Sequence, residues 1–199
     1  RRKDEFLATL AHELRNPLAP LRNGLEILEM GPPADAARST IDMMSRQLGH
    51  MIHLIDDLMD VARVGSGKIT LRKQRVELQA VAAGAVEASR QYIESGRHHL
   101  TATTPSEPIL LDADPTRLTQ VISNLLNNAA KYTEPGGRIE LTVTRAGAEA
   151  VVGVRDTGLG IAPEMLPKVF EMFTQVDASL HRAQGGMGVG LTIVRRLVE

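Results

Sequence analysis

The stretch FLATLAHELRNPL, residues 6–18, repeats apolar side chains three and four residues apart, which is the spacing of one face of an α-helix. The repeat continues to Gly31, where a glycine followed by Pro32 and Pro33 is a strong signal for the end of a helix. The sequence therefore predicts a long amphipathic helix at the start of the chain. Its apolar stripe consists of Leu7, Ala11, Leu14, Leu18, Leu21, Leu25 and Leu28.

A second apolar stripe begins at about Asp35, directly after the two prolines. Two long helices joined by so short a loop must pack antiparallel. Because one hairpin buries only a narrow seam, an apolar face of this length favours a partner hairpin, and we predict a four-helix bundle formed by a homodimer. The second stripe consists of Ile41, Met44, Leu48, Met51, Ile55, Leu58 and Ala62.

The pattern changes to mixed α and β after the glycine-containing break VGSGK, residues 64–68, so the fold class is α+β. Asp114 followed by Pro115 predicts the N-cap and first position of a helix that continues to about Tyr132. We also expect a strand in 69–78, a helix from Leu78 to about Tyr92 and a final helix in 190–199. Two β-hairpins are expected as well. The first is formed by 98–104 and 108–114, and the second by 138–144 and 150–156 around Gly147.

The composition of the 199-residue chain excludes several classes of function. With a net charge of -1 and no basic block, we expect no binding to nucleic acid and no direct contact with an anionic membrane. No apolar run approaches the ~20 residues that span a bilayer. Cysteine is absent, which excludes thiol chemistry and is typical of a reducing compartment, so we expect a cytoplasmic location.

His12 lies roughly 150° from the centre of the first apolar stripe, so its imidazole should face water. Pro17 and Pro20 cannot donate to the carbonyls of Glu13 and Asn16, so the helix should bend just after His12. An exposed imidazole has one nitrogen available for nucleophilic attack, and a carboxylate such as Glu13 can bond the other and stabilise the cation. Taken alone, the same pattern is also that of an ordinary exposed His-Glu pair.

Asn124, Asn128 and Lys131 form a polar stripe at the edge of the buried face of their predicted helix. Two amide oxygens one turn apart can share a hard cation such as Mg²⁺, and a lysine one turn further on can reach phosphate oxygens. A polar stripe that merely faces solvent is the alternative.

Two glycine-containing stretches follow this helix. Asp156 ends a strand on the same face as Val152 and Val154, so we expect an inward-pointing acid that needs a donor, for which the exocyclic amine of a purine is one candidate. Gly158 and Gly160 would let a base approach the backbone, although a turn that needs glycines explains them equally well. The stretch GGMGVGLTIV opens the last helix with Gly185, Gly186, Gly188 and Gly190, whose backbone N–H groups can surround phosphate oxygens.

Taken together and in this order, these stretches resemble the sensor histidine kinases of two-component signalling. LAHELRNPL is similar to the H-box of the family, NLLNNAAKYT to its N-box, DTGLGI to its first glycine box, VFEMF to its F-box and GGMGVGL to its second glycine box. The second half also resembles the wider ATPase superfamily of gyrase, the heat-shock chaperone and mismatch-repair proteins.

The resemblance implies a dimerisation and histidine-phosphotransfer domain in 1–64 and an α/β-sandwich ATP-binding domain in 69–199, with further sheet strands beyond the last residue. His12 would be the phosphoacceptor, Glu13 its base or orienting partner, and Asn16 a residue that positions water for phosphatase activity.

The implied cofactors are ATP and Mg²⁺. Asn124 and Asn128 would serve the metal, Lys131 the phosphates, and Asp156 the adenine amine, while Tyr132 would pack near the nucleotide. The resemblance also assigns Gly158, Gly160, Gly186, Gly188 and Gly190 to nucleotide binding, and 174–190 to a mobile lid anchored by Phe170 and Phe173.

The function implied is an ATP-dependent autokinase that passes its phosphoryl group to an aspartate on a response-regulator receiver domain, under control of a sensor domain outside this chain. The hydrolysing relatives carry a glutamate where this chain has Asn124, and an amide is a poor base, so rapid ATP hydrolysis is not expected. Three alternatives stay open: a protein that mainly dephosphorylates its regulator, a non-catalytic dimeric docking module, and a plain Mg²⁺-dependent ATPase.

Overall fold

The computed structural model describes residues 2–65, 71–171 and 188–199. The chain divides into two compact units, of which the first contains 2–65 together with 188–189 and the second contains 71–171 and 190–199. The finer domain bounds, 1–64 and 69–199, stay a prediction.

The first unit is a hairpin of two long helices, α1 (Arg2–Glu29) and α2 (Ala34–Gly65), as the two apolar stripes predict. The turn after α1 contains Gly31 with φ 65°, the left-handed conformation in which glycine commonly ends a helix. Pro17 and Pro20 both lie inside α1. The bend expected just after His12 stays a prediction.

A close approach between the two helices fixes how the hairpin packs. A Cβ atom added at Gly24 would lie 2.7 Å from Cγ of Met44, so the backbone of α1 approaches the α2 side chain as closely as a glycine allows. Thr40 is buried in this seam, and its Oγ1 donates to the carbonyl of Ala36 at 2.8 Å. The hydroxyl is thereby satisfied within its own helix.

Most members of the predicted apolar stripes fall into two halves; Ala11 is exposed, and the side chains of Leu7 and Ala62 lie outside the described residues. One half is partly buried in the seam of the hairpin and contains Leu14, Leu21 and Leu28 of α1 and Met44, Met51 and Leu58 of α2. The other half points outward, and its members are from 46% to 54% exposed: Leu18, Leu25, Ile41, Leu48 and Ile55. The members of each half recur at seven-residue intervals along a helix, which is the repeat of a helical bundle. This outward face is called the open face below.

The second unit combines strands and helices, and its described part follows the order β1 (Gln74–Glu77), α3 (Leu78–Ser95), β2 (His99–Thr103), β3 (Leu110–Ala113), α4 (Pro115–Tyr132), β4 (Arg138–Ala146), β5 (Glu149–Asp156) and α5 (Gly190–Val198). A three-stranded sheet has the order β2-β4-β5, and β1 pairs with β3 in a separate two-stranded sheet. The fold class is therefore α+β as predicted, with an N-terminal helical hairpin followed by an α/β domain.

The hairpin predicted for 98–104 and 108–114 is wrong. β2 runs parallel to β4, with His99 opposite Arg138, and β3 runs antiparallel to β1, with Ala113 opposite Gln74. Gln79 on the first turn of α3 bonds the connection between the two strands: its Nε2 donates to the carbonyl of Glu107 at 2.6 Å, and its Oε1 accepts from the N–H of Ile109 at 3.0 Å. The connection between the two strands is thus held against α3, where β3 meets β1.

Other local predictions of the second unit are confirmed. Asp114 caps α4, its Oδ1 accepting from the N–H groups of Thr116 and Arg117 at 3.1 and 3.2 Å, and Pro115 occupies the first turn. β4 and β5 form the predicted antiparallel hairpin, with Gly147 at φ 64° in its turn. The strand expected in 69–78 is shorter than predicted, and 69–70 lie outside the described residues.

The core of the second unit lies between the helices and the three-stranded sheet. Its most deeply buried side chains include Leu78 of α3, Ile122 and Leu126 of α4, and Ile139, Leu141 and Val143 of β4. On α4, Val121, Ile122 and Ala129 are buried, whereas Leu118, Leu125 and Tyr132 are partly buried. α5 packs on α4, so all three helices belong to one layer around this core.

Within 2–65, 71–171 and 188–199, no helix combines the length and the apolarity that a membrane span requires.

Candidate functional site

The polar stripe predicted for α4 contains amide groups that are buried without partners. In the described part of the chain, Nδ2 of Asn124 and Oδ1 of Asn127 are enclosed and make no hydrogen bond. A buried polar atom left in this state costs roughly 1–3 kcal/mol, so a ligand that supplied the missing hydrogen bond would recover that cost at either atom. Asn127 was missed at the sequence level, although it lies three residues after Asn124 and one before Asn128 on the same face.

The C-terminal end of α4 is joined to the loop that follows β5. The N–H of Leu159 donates to the carbonyl of Tyr132 at 3.1 Å. A Cβ atom added at Gly158 would overlap that same carbonyl oxygen, so only a glycine allows the two backbones to come this close. Lys131 extends over the Tyr132 ring, with Nζ 5.0 Å from the ring centroid. The two motifs are therefore neighbours, although 26 residues of sequence lie between Tyr132 and Leu159.

Asp156 lies at the end of β5 and is exposed, which corrects the expectation of an inward-pointing acid. The donor that the sequence analysis required is the N–H of Gly158, which bonds Oδ1 at 2.8 Å. This hydrogen bond holds the carboxylate of Asp156 in place. Its Oδ2 accepts no hydrogen bond from the part of the chain that the structure describes. Thr157 fastens the loop to β4, since its Oγ1 accepts from the N–H of Arg138 at 3.0 Å and its own N–H donates back at 3.1 Å.

The beginning of α5 lies beside Asn124. A Cβ atom added at Gly190 would be 3.8 Å from Cγ of Asn124, an ordinary van der Waals distance. The first N–H groups of a helix have no partner inside it and favour anions, so this position suits a phosphate group. Thr192 anchors the helix, because its Oγ1 donates to the carbonyl of Phe170 at 3.0 Å.

The other glycines of the predicted site are placed only in part. Gly160 has φ 70° and Gly188 has φ 64°, so both adopt the left-handed conformation that glycine favours. Gly186, Phe173 and the predicted lid up to residue 187 lie outside the described residues.

The phosphoacceptor candidates lie in the first unit. His12, Glu13 and Asn16 all belong to α1, and Asn16 is exposed. The side chains of His12 and Glu13 lie outside the described residues, so their roles stay predictions. Within the second unit, by contrast, the structure places the Asp156–Gly160 loop against the end of α4 at Tyr132, and the first residue of α5 against the middle of the same helix at Asn124.

Comparison with known families gives matches to both units. Residues 2–67 match the family described as "His Kinase A (phospho-acceptor) domain". Residues 113–199 match "Histidine kinase-, DNA gyrase B-, and HSP90-like ATPase", a family of ATP-binding domains. The chain belongs to the sensor histidine kinases. Its two-domain order is that of a protein-histidine kinase of two-component signalling.

Individual relatives agree with this assignment. The kinase chain is 35% identical to the circadian input-output histidine kinase CikA of Synechococcus elongatus, over 99% of this chain and 27% of that protein. It is 33% identical to the autoinducer 2 sensor kinase/phosphatase LuxQ of Vibrio cholerae, over 98% of this chain and 23% of that protein. The chain thus spans about a quarter of the length of these two relatives.

A solved structure matches nearly all of the kinase chain. Full-length ShkA, in complex with AMPPNP, is 30% identical with a TM-score of 0.65 and covers 97% of this chain and 40% of that one. The likeness extends over both the helical hairpin and the α/β domain.

Proposed function

We propose that this chain is the catalytic part of an autokinase that transfers the γ-phosphoryl group of ATP to His12 and then to an aspartate of a response-regulator receiver domain. The observation that carries the proposal is the junction of three motifs in the second unit. The carbonyl of Tyr132 bonds the Asp156–Gly160 loop, and Asn124 meets Gly190 at the start of α5.

The nucleotide would lie across this junction. Asp156 is fixed by the Gly158 N–H so that Oδ2 can accept from the exocyclic amine of adenine. Gly158 and Gly160 leave room for the base beside the backbone, and Tyr132 would pack near it. Lys131 would contact the phosphates as a point charge.

The phosphates would lie toward the beginning of α5, where free backbone N–H groups favour anions. Gly190 is the first residue of that helix. Gly188 belongs to the same glycine box, and Gly186 is assigned to it from the sequence motif alone.

The amides of α4 fit a magnesium ion. Mg²⁺ prefers oxygen ligands and is commonly shared between a few protein oxygens, waters and substrate phosphates. Asn124 and Asn128 can each supply an amide oxygen, and the buried, unpaired Oδ1 of Asn127 can accept from a metal-bound water. A bound Mg²⁺ would neutralise phosphate charge during transfer.

The chemistry assigned to the residues is nucleophilic substitution at phosphorus. One ring nitrogen of His12 forms the bond to the γ-phosphorus while the bond to the bridging oxygen breaks and ADP leaves. Glu13 would bond the other ring nitrogen and stabilise the positive charge that develops. Asn124 occupies the position of the glutamate base of hydrolysing relatives, and because an amide cannot take a proton from water, ATP is retained for the imidazole.

Incubation with γ-labelled ATP and Mg²⁺ tests this proposal. Wild-type protein should incorporate label that is acid-labile and alkali-stable, whereas His12→Gln should incorporate none although it still binds the nucleotide. Absence of label in a wild-type protein that binds ATP and dimerises would exclude the autokinase and favour the docking module. Release of free phosphate at the same rate by wild type and His12→Gln would indicate a plain ATPase instead.

The open face of the hairpin supports a homodimer. A contiguous row of half-exposed leucine and isoleucine side chains is uncommon on a monomer and marks a surface that another protein covers. A second copy is the occupant with the matching repeat, and it would complete a four-helix bundle.

Dephosphorylation of the receiver is a second activity that the position of Asn16 favours, since it is exposed on α1 one turn after His12. One relative, LuxQ, is itself named a sensor kinase/phosphatase. Loss of receiver dephosphorylation in Asn16→Ala, with autophosphorylation retained, would support this role, and equal dephosphorylation by both proteins would exclude it.

A location in the cytoplasm, downstream of a sensor domain on the same polypeptide, completes the proposal.

A further inference from the structure

His98 holds the last turn of α4 from outside the helix. Its Nε2 lies 2.9 Å from the carbonyl oxygen of Ala130. α4 ends at Tyr132, so this carbonyl is one of the last four, which have no partner within the helix. The imidazole therefore satisfies a group that would otherwise depend on water.

The contact determines the tautomer of the imidazole. A carbonyl can only accept, so the proton must be on Nε2. Nδ1 is enclosed and makes no hydrogen bond with any described residue, and an enclosed lone pair is better tolerated there than an enclosed N–H group. His98 is therefore a dedicated donor to one backbone carbonyl.

The sequence before His98 leaves room for this ring. A Cβ atom added at Gly96 would overlap the imidazole of His98. The backbone at Gly96 has φ −82°, which any residue adopts, whereas the next residue, Arg97, has φ 53° without being a glycine. Gly96 is therefore required because a side chain there would overlap the His98 ring, and not because of its backbone conformation.

The same loop also holds the segment that follows α4. The N–H of Gly136 donates to the carbonyl of Gly96, and the N–H of His99 donates to the carbonyl of Gly137, each at 2.9 Å. The end of α4 is therefore held on both sides by residues 96–99. Tyr132, whose carbonyl bonds the Asp156–Gly160 loop, lies between these attachments.

We propose that His98 is a positioning residue for the nucleotide site, acting through the Ala130 carbonyl on Lys131 and Tyr132. This inference rests on the proposed function, since it assigns nucleotide binding to the end of α4. Without the donor, the last turn of α4 would lose its outer attachment, and the lysine and the tyrosine carbonyl would no longer be held in place for the nucleotide.

Two substitutions separate the hydrogen bond from the bulk of the ring. His98→Leu keeps a side chain of substantial size but cannot donate, and the dissociation constant of an ATP analogue should rise about fivefold, as expected for one lost hydrogen bond. His98→Gln carries an amide N–H at the corresponding position and should restore wild-type affinity. His99→Ala is the matched control, because the neighbouring histidine side chain is exposed on β2 and should not affect binding.

Affinity should be measured by calorimetry on the whole chain, with circular dichroism to establish that each variant is folded at that temperature. The positioning role would be overturned if His98→Leu bound the ATP analogue as tightly as wild type does. It would also be overturned if His98→Gln bound the analogue no more tightly than His98→Leu does. Either result would leave the proposed function intact. Absence of ATP binding by the wild type would overturn both. Nitrogen NMR of the ring gives an independent readout: a proton on Nε2 supports the assignment, and a proton on Nδ1 contradicts it.

Discussion

Gly158 shows at the scale of a single residue how closely the backbone is packed at the proposed nucleotide site. An alanine methyl group there would overlap the Tyr132 carbonyl oxygen and lie 2.8 Å from Oδ1 of Asp156. Gly158→Ala should therefore push the loop away from α4, lower the free energy of unfolding by about 1–3 kcal/mol and weaken binding of an ATP analogue. Urea unfolding and calorimetry measure the two effects.

Gly84→Ala is the control for this substitution. Gly84 is an exposed residue of α3 with no atom within 4 Å of an added Cβ, so alanine should raise the free energy of unfolding by about 0.5–1 kcal/mol. If both alanine variants were equally stable, the close approach at Tyr132 would not be a constraint on the folded chain.

Asp114 illustrates the scale of a whole element, because it begins α4, the helix that carries the candidate ligands. The backbone N–H of Arg72 bonds its Oδ2 at 2.9 Å and is the main reason that the pKa of this carboxyl is lowered; the N–H groups of Arg117 and Thr116 add to the effect. Asp114→Ala should lower the free energy of unfolding by about 1 kcal/mol at neutral pH.

The effect of Asp114 should depend on pH with a definite sign. A carboxyl whose pKa is lowered in the folded state stabilises it fully above the ordinary value of 3.8, and this contribution is lost as the pH falls through the lowered value. The gap between wild type and Asp114→Ala should therefore be largest at neutral pH and close in acid. A gap at Asp114 that did not change with pH would contradict the assignment.

Elements with strong local signals could be predicted from the sequence. α4 has its cap and proline at adjacent positions, and the β4–β5 turn has its glycine. The partners of β2 and β3 could not be predicted, because each strand pairs with one that is distant in sequence, and the Gln79 side chain bonds the connection between them 28 and 30 residues away.

The candidate site follows the same division. Asn124, Asn128 and Lys131 could be grouped by helical spacing, since their neighbours in space are their neighbours in sequence. The spacing of residues did not indicate that Asp156 would be close to Tyr132; the resemblance to a family did. His98 gave no signal on its own, although the glycine two residues before it was available as a clue.

At the scale of the whole molecule, the open face predicts assembly. Leu48 is 53% exposed on α2, away from the seam of its own hairpin. Leu48→Asp should leave the hairpin folded but weaken dimerisation about a hundredfold, because a charge would have to be buried in an apolar interface. Sedimentation equilibrium measures the association. Arg46→Asp, at an exposed position about 200° away around the helix, should remain dimeric.

The parallel pairing of β2 with β4 has a consequence for the order in which the chain acquires structure. β2 cannot pair with β4 until Arg138, the residue opposite His99, has been synthesised, and α4 lies between the two strands in the sequence. The helical hairpin requires only contacts between successive helices, which form earlier and faster than non-local strand pairs. On the ribosome, the part of the chain that carries His12 should therefore be complete while the sheet is still open. His12, the proposed phosphoacceptor, would then belong to a formed helix before the proposed ATP site exists, and refolding followed by circular dichroism should show helix formation preceding closure of the sheet.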